Sequence, residues 1–150
     1  MEERILIVED NKALAKLVSK KVQDALDMQV DLAYSLSEAK LFLMRYKYFI
    51  TLLDINLPDA PNGEIVDYVL KKGFKAIVLS ANIDKEFRAN ILKKDIIDYI
   101  NKGGKDDIEY IISTLQRLKK NQNHKVLVVD DSVVFRKQIQ HMLENMFFKV

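Results

Sequence analysis

The sequence predicts an α/β protein built on a doubly wound parallel sheet. Three observations carry the prediction. Short, nearly continuous apolar runs recur through the first 120 residues, helix-periodic segments separate them, and polar side chains stand where the runs end. Runs of this kind suit strands covered on both faces, and alternation with helices through short connections favours right-handed crossovers between parallel strands.

In chain order, 5-ILIV-8 reads as the first strand. Leu14, Leu17, Val18, Val22 and Ala25 then follow helical spacing, with Asp10 or Asn11 placed to cap. The segment 30-VDLAY-34 alternates apolar and polar residues, which suits a strand at a sheet edge. Ser35 or Ser37 starts a second helix, 48-YFITLL-53 is a buried strand, and 63-GEIVDYVLKK-72 is a helix ended by Gly73. After the strand 76-AIVL-79 comes a weaker helical segment, 84-DKEFRANILKK-94, whose Lys85, Arg88, Lys93 and Lys94 read as a solvated face. The strand 96-IIDYI-100 and a helix marked by Ile108, Ile111, Ile112, Leu115 and Leu118 complete the set.

An internal repeat sets the organisation. Residues 4-RILIVEDN-11 return as 125-KVLVVDDS-132, an offset of 121 residues. The expected units are a domain over 1–120, a polar linker at 121–124 that contains His124, and a second copy over 125–150 with room for one strand and one helix. In that stub, Phe135, Ile139, Met142, Leu143, Met146 and Phe147 form an apolar stripe that nothing further in the sequence is left to cover.

Composition narrows the function. With 24 basic and 22 acidic residues the formal net charge is +2, which gives no reason to expect nucleic acid or a membrane surface as a partner. Zero cysteines exclude disulfides and thiolate chemistry, and the two histidines, His124 and His141, are too few for a three-histidine metal site. The apolar runs are too short to span a bilayer, and Met1 leads into charged residues and not a secretory leader, so a cytoplasmic chain is expected.

Ligand chemistry in such sheets gathers at the carboxyl ends of the strands. Those ends carry Glu9 and Asp10, then Asp54, Ser80, and Asn101 with Lys102. Three carboxylates brought together repel unless positive charge lies among them, which a hard divalent cation or the Lys102 ammonium can supply.

In these residues the sequence resembles the receiver domains of bacterial two-component response regulators, over essentially all of residues 1–120. The acidic pair of ILIVEDN, Asp54 in TLLDINLPD, Ser80 in IVLSA and Lys102 in DYINKG each match a functional position of that family. The resemblance implies a flavodoxin-like five-stranded sheet of order 2-1-3-4-5. It implies Asp54 as phosphoacceptor for a histidine kinase or phosphotransfer protein, and Mg2+ held by Asp10 and Asp54, by Glu9 through water and by the Asn56 backbone carbonyl. Lys102 and Ser80 are then expected to meet the phosphoryl group, and Tyr99 to rotate inward as helix four, strand five and helix five shift. On this reading the chain is a regulatory phosphoacceptor and not an enzyme beyond its own phosphotransfer and autodephosphorylation.

The sequence departs from the family pattern at three places. Gly103-Gly104 follows Lys102 where the family has proline, the turn 58-PDAPNGE-64 is one residue longer, and Glu9 replaces the commoner Asp. Those departures keep open an alternative, a degenerate receiver that docks partners without being phosphorylated. A haloacid-dehalogenase-type phosphatase needs a second Asp two residues after the nucleophile, where this chain has Asn56. A flavin site is disfavoured because the loop after the first strand lacks a glycine-rich phosphate cradle. The stub suggests a tandem-receiver protein with a further receiver and an output domain, the LPDAPNGE turn resembling those attached to diguanylate cyclases, and self-association through 125–150.

Overall fold

The computed structural model describes residues 3–81, 84–103 and 106–150. The elements run β1 (Arg4–Val8), α1 (Lys12–Leu26), β2 (Gln29–Ala33), α2 (Leu36–Arg45), β3 (Ile50–Asp54), α3 (Glu64–Lys71), β4 (Ala76–Ser80), α4 (Lys85–Leu92), β5 (Asp98–Asn101), α5 (Asp107–Asn121) and α6 (Val133–Asn145). The five strands pair in parallel in the order β2-β1-β3-β4-β5, as expected of a flavodoxin-like fold, with β2 at one edge.

The central strands read as continuous apolar runs because alternate residues feed two separate cores. Leu6, Val8, Leu53 and Val78 face α2 and α3 on one side, while Ile5, Ile7, Leu52 and Ile77 meet α1 and α5 on the other. Each fully buried side chain of this size contributes roughly 1.5–3 kcal/mol. A slip of one residue would turn either set to the wrong core, so the register that aligns the strand ends is strongly held.

Local chemistry fixes the helix starts. The Asn11 side chain, and not that of Asp10, accepts from the Leu14 N–H at 3.1 Å, and Ser35 caps α2 by accepting from the Glu38 N–H at 3.2 Å. Asp84 caps α4 through the N–H groups of Glu86 and Phe87. Two strands begin later than their apolar runs. Tyr48 is drawn out of β3 by a hydrogen bond to Asp31 (2.8 Å), and Ile96 and Ile97 pack in the cores before β5 begins at Asp98.

Residues 125–150 differ from expectation in two respects. Their helix forms as α6, capped by Ser132, but residues 126–130 carry no strand, and their pairing is confined to a bridge between Lys125 and Lys149. A strand needs a neighbouring strand to take its backbone groups, and none is offered to this segment. The apolar stripe is also partly covered: the Phe147 ring packs on Phe49 with centroids 4.6 Å apart. Phe135, Met142 and Met146 remain exposed, as do Leu127 (85%) and Val129 (83%). No helix among the described residues is long and apolar enough to cross a membrane.

Candidate functional site

The carboxyl ends of β1, β3, β4 and β5 meet around a cleft of about 530 Å³ lined by Glu9, Asp10, Asn11, Leu14, Asp54, Asn56, Ala81 and Lys102. Backbone pairing beyond the strands sets the two charged groups that come from opposite sides. The Glu9 N–H donates to the Ala33 carbonyl (3.0 Å), and the Lys102 N–H donates to that of Ser80 (2.8 Å). Asp54 is the last residue of β3, and the N–H of Asn56 closes back on its Oδ1 at 2.9 Å.

Carboxylate oxygens of Glu9, Asp10 and Asp54 lie within 4.8 Å of one another. Glu9 and Asp54 are buried while Asp10 faces solvent, so the cluster opens to solvent through Asp10. Lys102 reaches both buried partners, with Nζ at 2.5 Å from Glu9 Oε1 and 3.1 Å from Asp54 Oδ2. One ammonium cannot balance two buried carboxylates. Burial, and the hydrogen bond shared with Asp54, push the Glu9 carboxyl up to about 8. Burial also pushes Asp54 up, but the hydrogen bond from Glu9, the Asn56 N–H and Lys102 outweigh it and hold Asp54 below the ordinary carboxylate range.

Burial beside a single ammonium thus favours the protonated form of Glu9 and the ionised form of Asp54. That assignment accounts for Glu9 Oε2, a buried oxygen with no donor among the described residues. In that form the Glu9 carboxyl can share its proton with Asp54 while Oε1 accepts from Lys102. An all-oxygen donor set with more negative charge than its ammonium neutralises suits a hard divalent cation, which would displace that proton.

Ser80 ends β4 beside this group and is buried. Tyr99 is buried, 8% exposed as a residue, and belongs to the core beside α3 and α4, with a buried hydroxyl that finds no partner among the described residues. The Arg88 guanidinium lies 5.3 Å from the centroid of the Tyr99 ring. Sequence reasoning missed this contact, because Arg88 in a charged helix reads as a solvated side chain.

Two of the departures acquire a structural account. Gly103 has φ +114°, a region closed to proline, so the chain leaves Lys102 by a path that the family's residue could not follow. Gly104 lies outside the described residues. The turn before α3 is pinned and not slack: the Asp59 carboxylate accepts from the N–H groups of Leu36 (2.9 Å) and Ser37 (3.0 Å) at the start of α2. Those N–H groups hold its pKa below the ordinary range. Gly63 then adopts φ +75° ahead of α3, where a Cβ would lie 3.2 Å from Ile91 Cδ1.

A family model for the response regulator receiver domain matches residues 5–113. No curated protein matches the chain. Among solved structures, a two-component system response regulator/GGDEF domain protein is 30% identical with a TM-score of 0.86, over 99% of this chain and 60% of that one. Another of the same description is 29% identical with a TM-score of 0.85, at the same coverage. This chain thus spans about 60% of the length of those two relatives. The receiver domain of Francisella response regulator 1452, 21% identical with a TM-score of 0.69, shares the fold over 79% of this chain and 98% of its own.

Proposed function

The chain belongs to the response regulator receiver family, and on that premise we propose that it is a phosphoacceptor module in which Asp54 takes a phosphoryl group from a phosphohistidine of a sensor kinase or phosphotransfer protein. The observation that carries the reading is a buried Asp54 with Lys102 at 3.1 Å, two further carboxylates in the same cluster, and a carboxyl held below the ordinary range. An ionised carboxylate oxygen attacks phosphorus in line. The P–N bond breaks, its electron pair leaves with the imidazole, and an acyl phosphate forms on Asp54.

Lys102, 3.1 Å from Asp54 Oδ2, would pair with the transferred group, and Ser80, at the end of the neighbouring strand β4, would offer its hydroxyl to a phosphoryl oxygen; Tyr99, packed against α4, would report the change to the face formed by α4, β5 and α5. Asp10 and Asp54, with Glu9 through water and the Asn56 carbonyl, would hold Mg2+. Bound there, the ion supplies the charge that neutralises phosphoryl oxygens.

The test is incubation with a small acyl-phosphate donor, with and without Mg2+, followed by intact mass beside an Asp54→Asn control. A single Mg2+-dependent adduct, lost in the variant, is expected. No adduct, or one that survives Asp54→Asn, would overturn the reading and leave the unphosphorylated docking module as the better account.

We further propose that residues 1–120 are a first receiver, 121–124 a linker, and 125–150 the start of a second, in a protein with an output domain of the diguanylate cyclase class. The repeat of ILIVEDN as VLVVDDS and the two GGDEF-containing relatives support this. In the 150-residue chain the exposed stripe of α6 is then covered by a second copy. A monomer by light scattering, with rapid exchange across 126–147, would refute that association.

A further inference from the structure

The stub is fastened to the opposite end of the sheet from the carboxylates. The Asn145 side chain stands between two charges of the first unit, its oxygen accepting from Lys75 Nζ (2.6 Å) and its nitrogen donating to Asp95 Oδ1 (2.7 Å). His141 Nε2 lies 3.1 Å from the same Asp95 oxygen. The Phe147 ring rests on Phe49, and Asn121 donates to the Met146 carbonyl at 2.9 Å. Phe49 precedes β3, Lys75 precedes β4, and Asp95 lies in the turn between α4 and β5. The likeness to the two GGDEF-containing relatives covers 99% of this chain, and so extends into this docked helix.

Asp95 connects α6 to the end of α4, a lightly packed helix of the first unit. Of its described residues α4 buries Ile91 alone, so a small apolar contact is at stake when it shifts. Midway along it Arg88 lies over Tyr99, and just past its end Asp95 holds α6. We propose that the rim formed by Phe49, Lys75 and Asp95 is the surface through which this receiver passes its phosphorylation state to the unit beginning at Lys125, with the turn between α4 and β5 as the moving part. The inference rests on the phosphoacceptor reading of Asp54.

Hydrogen–deuterium exchange across 133–147, with and without an acyl-phosphate donor and Mg2+, tests it, with adduct occupancy read by intact mass on the same sample. Phosphorylation is expected to change exchange of this segment several-fold, up to about fivefold for contacts that are largely exposed. Asp95→Ala, and separately Asn145→Ala, which leaves the receiver itself untouched, should abolish the response at unchanged adduct occupancy. An adduct that leaves exchange of 133–147 unaltered in the unmodified chain, or a response that survives both substitutions, would overturn the proposal. Absence of any adduct would instead overturn the reading beneath it, and the mass measurement separates the two failures.

Discussion

Replacing Glu9 by Gln should change how stability depends on pH in a way that follows from one buried proton. The folded Glu9 carboxyl is raised from 4.5 to about 8. Between about pH 5 and pH 8 the folded, metal-free chain therefore holds a proton that the unfolded chain has released. A group raised in this way makes the folded state progressively less stable as pH rises through that window, by about 1.4 kcal/mol per pH unit. From pH 5.5 to pH 7.5 the loss attributable to Glu9 is about 2–3 kcal/mol. Glutamine reproduces the protonated acid, with an oxygen for Lys102 and an N–H for Asp54, but has nothing to titrate. Urea unfolding in EDTA at three pH values should show a slope for the unmodified chain that Glu9→Gln removes. The lowered carboxyls of Asp54, Asp59 and Asp95 act at more acid pH and the raised hydroxyls of Tyr48 and Tyr110 at more alkaline pH, and all are common to both proteins. Equal slopes in the two proteins would refute the placement of the proton on Glu9.

A Glu9 carboxyl raised in this way is expected to lose its proton when a cation binds. Calorimetric titration with Mg2+ at pH 7, in buffers of different ionisation enthalpy, should show close to one proton released per ion bound, and much less for Glu9→Gln. Lys102→Ala removes an ammonium that competes with the cation for Glu9 and Asp54. It should bind Mg2+ more tightly while forming the acyl phosphate at least about tenfold more slowly, since the developing charge loses a fixed partner; weaker Mg2+ binding would contradict this. Gly63→Ala places a Cβ 3.2 Å from Ile91 at φ +75°, and should cost about 1–2 kcal/mol by chemical denaturation, whereas an unchanged midpoint would show that α4 yields freely at that contact.

Much of this was legible in the sequence for an identifiable reason. Strands β1, β3 and β4 are buried on both faces and therefore appear as continuous apolar runs, and the charged or polar residues that end them are conspicuous in so apolar a setting. The start of β5 was not legible, because Ile96 and Ile97 are apolar for packing and not for strand pairing. The missing strand at 126–130 depends on whether a neighbour is present, which local pattern does not encode. The ties of Asp59 to α2 and of Arg88 to Tyr99 join residues distant in sequence, and neither leaves a periodic trace. The raised Glu9 carboxyl arises from burial beside Asp54, a consequence of register across β1 and β3.

Borohydride reduction of the phosphorylated chain, followed by peptide mass mapping, tests the central claim most directly. An acyl phosphate on an aspartate is reduced to homoserine, and the account places that conversion at residue 54 alone, with a requirement for Mg2+ during phosphorylation. Homoserine at Asp10 or another carboxylate, or phosphorylation that leaves no reducible acyl phosphate, would contradict it.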